Sequence, residues 1–409
     1  MPLVVYVLGF SIFAQGTSEL MLAGLLPEMA ADLGVSVPQA GLLISAFAIG
    51  MLVGAPVLAI VTLRWPRRTA LLTFLAIFAL SHVVGALTTS YGLLFATRVV
   101  GAFVYAGFWA VAASTAIGLV PANARGKAMS VLAGGLTVAT IIGLSLGTVI
   151  GQHFGWRAAF WAVAALSALA GAGLLATIPG GRRETEAASG DGTRAQEGPR
   201  VAVELRAMAN PRLWLSCGIT ALTTTALLAS FSYLSVLLVD TTGLDPAWVP
   251  AVLAVYGLGS LIGITIGGRT ADARPFPSLF TGITGLVVTS AALALSAPIP
   301  FLAIPLIFLL GAFGFGTNPT LNTRVFALAK NAPTLAAAVN VSSFNVGITI
   351  GPWLGGLSIG AGFGYPSVAW IGAAVGAVSL AVVALAARLH RTETAVPQAA
   401  GTLEIRSGV

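Results

Sequence analysis

The chain has 409 residues, of which 57% are hydrophobic and only 8% charged, with a formal net charge of +7. A soluble domain carries about 25% charged residues, so a water-covered surface is excluded and lipid must be the solvent for most side chains. The lone cysteine, Cys217, excludes an intrachain disulfide and reads as a small buried apolar residue.

The first apolar run, near 4–27, carries Glu19, lacks a basic start and is followed by more runs, so it is read as a retained helix and not a cleaved leader. At about 20 residues per crossing, further spans are predicted near 39–62, 69–89, 92–118, 128–151, 157–178, 213–238, 247–268, 277–297, 300–321, 335–359 and 366–387. Only the turn His153–Trp156 separates spans five and six. Pro56, Pro305, Pro319 and Pro352 fall inside spans, where neighbouring helices can satisfy the freed carbonyls. Asn318-Pro319 in span ten is read as a break in helix regularity, a hinge or a simple kink. The stretch Pro179–Arg212, with Arg182, Arg183, Glu184, Glu186, Asp191 and Glu197, is too polar to fold alone. The organisation is therefore a six-helix bundle over 1–178, a linker over 179–212, a second six-helix bundle over 213–389 and a tail over 390–409.

Basic residues alternate along the chain. The connections after spans two, four, six, eight and ten hold Arg64, Arg67, Arg68, Arg125, Lys127, Arg182, Arg183, Arg269, Arg274, Arg324 and Lys330, whereas the opposite side has Arg157 with Glu28, Asp32, Asp240 and Asp245. The excess of Lys and Arg on one side predicts that both termini are cytoplasmic, in the cell's inner (plasma) membrane. It also accounts for the basic charge without nucleic acid as a partner.

The two halves repeat at an offset of about 209 residues: Gly34 matches Gly243, Gly50 matches Gly259, Gly54 matches Gly263 and Pro66 matches Pro275, and Gly143 and Gly147 match Gly351 and Gly355 at 208. Two parallel halves joined by a long loop suit a rocking machine with its site between them near mid-membrane. The predicted fold class is all-α: a polytopic membrane protein with twelve transmembrane helices in two pseudo-symmetric six-helix bundles.

Two charges lie deep inside spans, Glu19 and Arg98. A charge near a helix centre costs about 2.5–3.5 kcal/mol on the mildest scale, so such residues face the bundle interior. Both are expected at similar depth, close enough to touch. Glu19 is the candidate proton carrier, with a permanent ion pair as the competing reading. Ser11 and Gln15 precede Glu19 on the same helix face. Thr223 and Phe231 on span seven, Asn340 and Ser343 on span eleven, and Tyr105 and Trp109 on span four are candidates for polar and aromatic cavity lining. His82 is read as a packing or hydrogen-bonding residue.

Other classes lack their marks. Gly126-Lys127 has neither the upstream glycine nor the following Ser or Thr of a phosphate loop. No His-Glu-x-x-His or Gly-x-Ser-x-Gly occurs, and three scattered histidines suggest no metal site. No enzyme, no catalytic residue, no metal and no cofactor is expected.

The chain resembles the major facilitator superfamily over nearly its whole length. The segment from Gly54 through Arg64-Trp65-Pro66-Arg67-Arg68 looks like that superfamily's loop motif, with Leu63 where an Asp is usual, while the second half keeps the acid as Asp272. The resemblance implies that Gly54, Arg64, Arg67, Arg68 and Asp272 form a cytoplasmic gate. Arg98 matches the buried arginine of drug:proton antiporters. Gly135, Gly143 and Gly147, with Gly351 and Gly355 in the second half, resemble their glycine-rich motif, although Ser145 stands near the expected proline. The run Gly16-Thr17-Ser18-Glu19-Leu20-Met21-Leu22-Ala23-Gly24-Leu25-Leu26-Pro27 and the segment Trp65-Pro66-Arg67-Arg68 look like chloramphenicol-resistance exporters of the twelve-span group. That resemblance implies a cavity lined by spans one, four, seven and ten, a small amphipathic substrate exchanged for protons, and a monomer in the lipid bilayer. Exporters of sugars or nucleosides, and a proton-coupled nutrient importer, are the alternatives.

Overall fold

A computed structural model describes residues 1–61, 65–121, 124–178, 210–271, 274–329 and 333–404. The long helices are α1 (Leu3–Leu33), α2 (Val37–Val61), α3 (Arg67–Leu87), α4 (Tyr91–Gly118), α5 (Lys127–Phe154), α6 (Trp156–Thr177), α7 (Pro211–Thr241), α8 (Pro246–Thr270), α9 (Pro275–Ser296), α10 (Pro300–Leu328), α11 (Pro333–Gly360) and α12 (Pro366–Glu404). Among the described residues no strand occurs, and eleven of these helices are long and apolar enough to cross a membrane. The other, α11, coincides with the predicted span 335–359. The chain is a multi-pass membrane protein. The predicted linker lies outside the described residues over 179–209. The last helix does not stop near 387 as predicted; it runs on to Glu404.

Local chemistry sets the helix ends. Gly34 ends α1 at φ 62°, and its N–H meets the carbonyls of Ala30 and Ala31. Gly155 at φ 82° turns α5 directly into α6. The Asn210 side chain caps α7 ahead of Pro211, whose missing N–H is no loss in a first turn. Helix α10 breaks at Thr317, just before Asn318-Pro319, because proline removes a helix hydrogen bond and its ring clashes with the preceding turn. Helix α5 carries a π-helical turn over Ala139–Gly143.

The duplication seen in sequence is repeated in packing. In each half the first helix packs on the fifth, the second on the fourth and the third on the sixth. Gly54 presses on the backbone of Phe103, and the same 209-residue offset carries this contact onto Gly263 and Ala312. Gly50 on Val99 becomes Gly259 on Phe308. A Cβ at any of these glycines would overlap the facing carbonyl, so the close crossing depends on small residues.

One end of the molecule, the basic end, carries Arg67, Arg68, Arg125, Lys127, Arg212, Arg269 and Arg274. At the opposite, far end Arg157 pairs with Asp32, the one ion pair among the described residues. Exposed aromatic rings mark both ends, Trp65 and Trp214 on the basic side and Phe154, Trp248 and Phe363 on the far side, as rings at a membrane–water interface do.

Candidate functional site

The halves touch along their far ends. Helix α2 packs on α11, with the Ser45 hydroxyl donating to the carbonyl of Thr349 (2.8 Å). Helix α5 packs on α8, where Gly257 lies against the backbone of Thr140 and Ile141. Ser235 donates to the carbonyl of Ala23 (2.6 Å), and Gln152 to that of Pro246 (2.8 Å). Toward the basic end the halves diverge around a cavity of about 360 Å³. That size falls in the range typical of small-molecule pockets, about 300–1,000 Å³.

The cavity is lined by α1, α2, α4, α5, α7, α8, α10 and α11. Its walls are largely apolar and aromatic: Met51, Tyr105, Trp109, Phe231, Tyr256, Phe315 and Phe344. Phe231 stacks on Tyr256 with ring centres 4.3 Å apart. Hydroxyls come from Thr140, Thr223, Thr224 and Ser232, and amides from Asn318, Asn322 and Asn345. Glu19 is the one charged residue on the lining among the described residues.

Arg98 is buried and points elsewhere. Its Nη1 donates to the Ser18 hydroxyl (2.6 Å), its Nη2 donates to the Ser18 carbonyl (3.0 Å), and its Cζ lies 4.3 Å from the centre of the Phe47 ring. Ser18 Oγ also meets His82 Nε2 at 2.5 Å, while His82 Nδ1 lies 2.8 Å from the carbonyl of Phe78. Adjacent residues on α1 thus divide the polar work: Ser18 turns to the arginine and histidine inside the first bundle, and Glu19 turns to the cavity. Glu19 and Arg98 are not within ion-pair distance in this conformation, yet they lie near enough for each charge to act on the other, and two of the guanidinium's nitrogens are held by Ser18.

Of the cavity candidates, Tyr105, Trp109, Thr223 and Phe231 line it. Ser11 and Gln15 do not; Ser11 donates to the carbonyl of Val7 and Gln15 to that of Ser11, both fully buried in the first bundle. Asn340 stands behind the wall, donating to the side chain of Asn322, which does line the cavity. Ser343 donates to the carbonyl of Val339 and faces Cys217. Sequence reasoning missed Asn322 and Asn345; amides are scarce in these apolar spans, and the break at Asn318-Pro319 marked the neighbourhood of Asn322.

The motif glycines form seams. Gly135, Gly143 and Gly147 on α5 lie against Gly9, Thr17 and Met21 on α1, and Gly351 and Gly355 on α11 lie against Ala229 and Tyr233 on α7. Among the loop-motif residues, Arg67 reaches Gly118 at the end of α4, and Arg68 donates to the carbonyl of Leu175 on α6 (3.2 Å). Both contacts stay inside the first half. Arg64 and Asp272 lie outside the described residues.

A model of the Major Facilitator Superfamily matches residues 8–343. A chloramphenicol resistance protein from Streptomyces lividans is 44% identical over 382 residues, covering 93% of this chain and 95% of the relative. The inner membrane transport protein YdhP of Escherichia coli (strain K12) is 33% identical, covering 93% and 95%. A chloramphenicol efflux pump of Mycobacterium tuberculosis is 30% identical, covering 86% and 84%. Among solved structures, a crystal structure of the nucleoside transporter NupG superposes with a TM-score of 0.73 at 17% identity, covering 94% of this chain and 99% of that one. A D-xylose-proton symporter gives 0.73 at 17% identity, covering 93% and 96%.

Proposed function

The chain belongs to the major facilitator superfamily, and from that membership we propose that it exports a small amphipathic drug, chloramphenicol first among candidates, in exchange for protons by alternating access. It is a transporter and not an enzyme. It works as a monomer in the plasma membrane, with the basic end and both termini in the cytoplasm. The two rocking bodies are residues 1–178 and 213–389, joined by the linker 179–212, with 390–409 as a cytoplasmic tail.

The observation that carries the proposal is a cavity with aromatic walls, a few amides and hydroxyls, and a single carboxylate. Chloramphenicol, a neutral nitroaromatic diol amide, offers a flat ring to those walls and hydrogen-bonding groups to those amides. The relatives named for chloramphenicol resistance and efflux support the same substrate. With the cavity open to the cytoplasm, Glu19 releases its proton and the drug enters. In the outward-open state the drug leaves and Glu19 takes up a proton, so the return crossing is made without a bare charge in oil. Arg98, now held by Ser18, is the cation that answers the carboxylate as the helices shift. For a neutral drug and one proton, the membrane voltage contributes about 2.3 kcal/mol per 100 mV, enough for a concentration ratio of tens.

The test is accumulation of labelled chloramphenicol. Cells making the protein should hold less label than cells without it, and an uncoupler should abolish the difference. In vesicles with an imposed pH gradient, Glu19→Gln should end uphill export. Undiminished export by that variant would remove Glu19 from the coupling. The amides Asn318, Asn322 and Asn345 also suit a hydroxyl-rich sugar or nucleoside, which would then compete with the labelled drug.

A further inference from the structure

A second pocket, of about 250 Å³, lies at the basic end of the second half, away from the central cavity. Four helices meet there: Arg212 and Leu215 from α7, Pro275 and Phe276 from α9, Arg324 and Leu328 from α10, and Leu389 and His390 from α12. Two arginines and a histidine line it, and no acidic side chain does among the described residues. The Arg324 guanidinium lies over the Phe276 ring (4.2 Å), and that ring packs on His390 (5.6 Å). Arg324 Nε is buried without a hydrogen-bond acceptor. A cationic N–H hidden from water and left without an acceptor is an unfavourable arrangement unless an anion completes it.

The first half supplies an internal contrast. The repeat offset places Phe276 where Arg67 stands and Pro277 where Arg68 stands. In the first half those two arginines spend themselves on Gly118 and the carbonyl of Leu175. In the second half the ring of Phe276 forms one wall of the pocket; Arg212 from α7 donates to the carbonyl of Leu389 on α12 (3.5 Å), and it is Arg324 from α10 that keeps an N–H without an acceptor. Exposed Trp214, next to Leu215 on α7, sets the pocket at the depth of the headgroups.

We propose that this pocket binds the phosphate of an anionic phospholipid headgroup, whose glycerol and acyl chains leave along the apolar surface of the second half. Basic pockets between helix ends on one membrane face have the right chemistry for such headgroups. The orientation proposed above decides only which leaflet supplies the lipid; the site itself does not depend on the drug or on Glu19.

The test uses the purified full-length protein in detergent, with phosphatidylglycerol, phosphatidylcholine or inorganic phosphate added, read by native mass spectrometry and by thermal melting. The expected result is a retained phosphatidylglycerol adduct that raises the melting temperature. Its affinity should fall about five-fold in Arg324→Gln and stay unchanged in a control carrying Arg125→Gln and Lys127→Gln. Ala327→Glu, at an exposed pocket position, places a carboxylate there without removing a buried group and should also expel the adduct. Equal retention of phosphatidylcholine, equal binding by Arg324→Gln, or an equal loss in the control would overturn the site. Stabilisation by inorganic phosphate as strong as by the lipid would overturn the lipid assignment and leave a free-anion site.

Discussion

Ser18 offers one hydroxyl to two partners, and one arrangement of hydrogens serves both. The Phe78 carbonyl only accepts, so His82 Nδ1 carries the ring hydrogen and Nε2 is the acceptor. Ser18 therefore donates to His82 and accepts from Arg98. Ser18→Ala would leave two buried polar atoms unmet, and an expected loss of about 1–3 kcal/mol follows, measured as a lower melting temperature. Adding His82→Phe removes one of the stranded groups, so the double variant should cost less than the two single ones summed, by about 0.5 kcal/mol or more. Strictly additive costs would show that the hydroxyl does not link the two side chains. The sequence announces Glu19 and Arg98, because ionisable groups in oil are rare and must face protein or water. It does not announce Ser18, since a serine in a membrane helix commonly bonds its own preceding turn, as Ser11 and Ser343 do.

Helix α5 places two glycines side by side with opposite surroundings. A Cβ at Gly135 would overlap the carbonyl of Gly9 on α1, while a Cβ at Gly134 would meet nothing within 4 Å. Gly135→Ala should therefore cost about 1–3 kcal/mol by forcing the helices apart. Gly134→Ala should be neutral or stabilising by up to about 1 kcal/mol, because alanine favours a helix. Melting temperatures of the two variants decide it, and similar values would sink the idea that α1 and α5 touch through this seam. The spans were legible as elements because length and hydropathy suffice to place them. Their rotations were not, since helices that are apolar all round carry little sign of which stripe faces inward. For that reason Ser11 and Gln15, on the stripe expected to face the cavity, lie inside the bundle, while Asn322 and Asn345 reach the lining. The break in α10 was readable from Asn318-Pro319, because proline acts on the backbone whatever the helix faces.

In the structure the two halves meet along a far-end seam, and a rocking transporter must open and remake such a seam in every cycle. The duplication makes that seam symmetric: α2 on α11 is repeated as α8 on α5. The two-body design was readable from the 209-residue repeat, whereas the choice of conformation was not, because it depends on a small difference between two packings of the same surfaces. Gly257 is a direct handle on that difference. A Cβ there would lie 2.7 Å from both the Ile141 Cα and the Thr140 carbonyl oxygen, backbone atoms of the other half that cannot turn aside. Gly257→Val should wedge the far ends apart and move the population toward the conformation closed at the basic end. Spin labels at exposed Phe154 and Trp248, one on each half at the far end, placed in a Cys217→Ser background, would report the separation. The expected result is a longer distance that gains population in Gly257→Val, together with slower transport, since each cycle must return through the conformation the valine disfavours. An unchanged distance distribution in a folded variant would mean that this seam does not hold the far side shut.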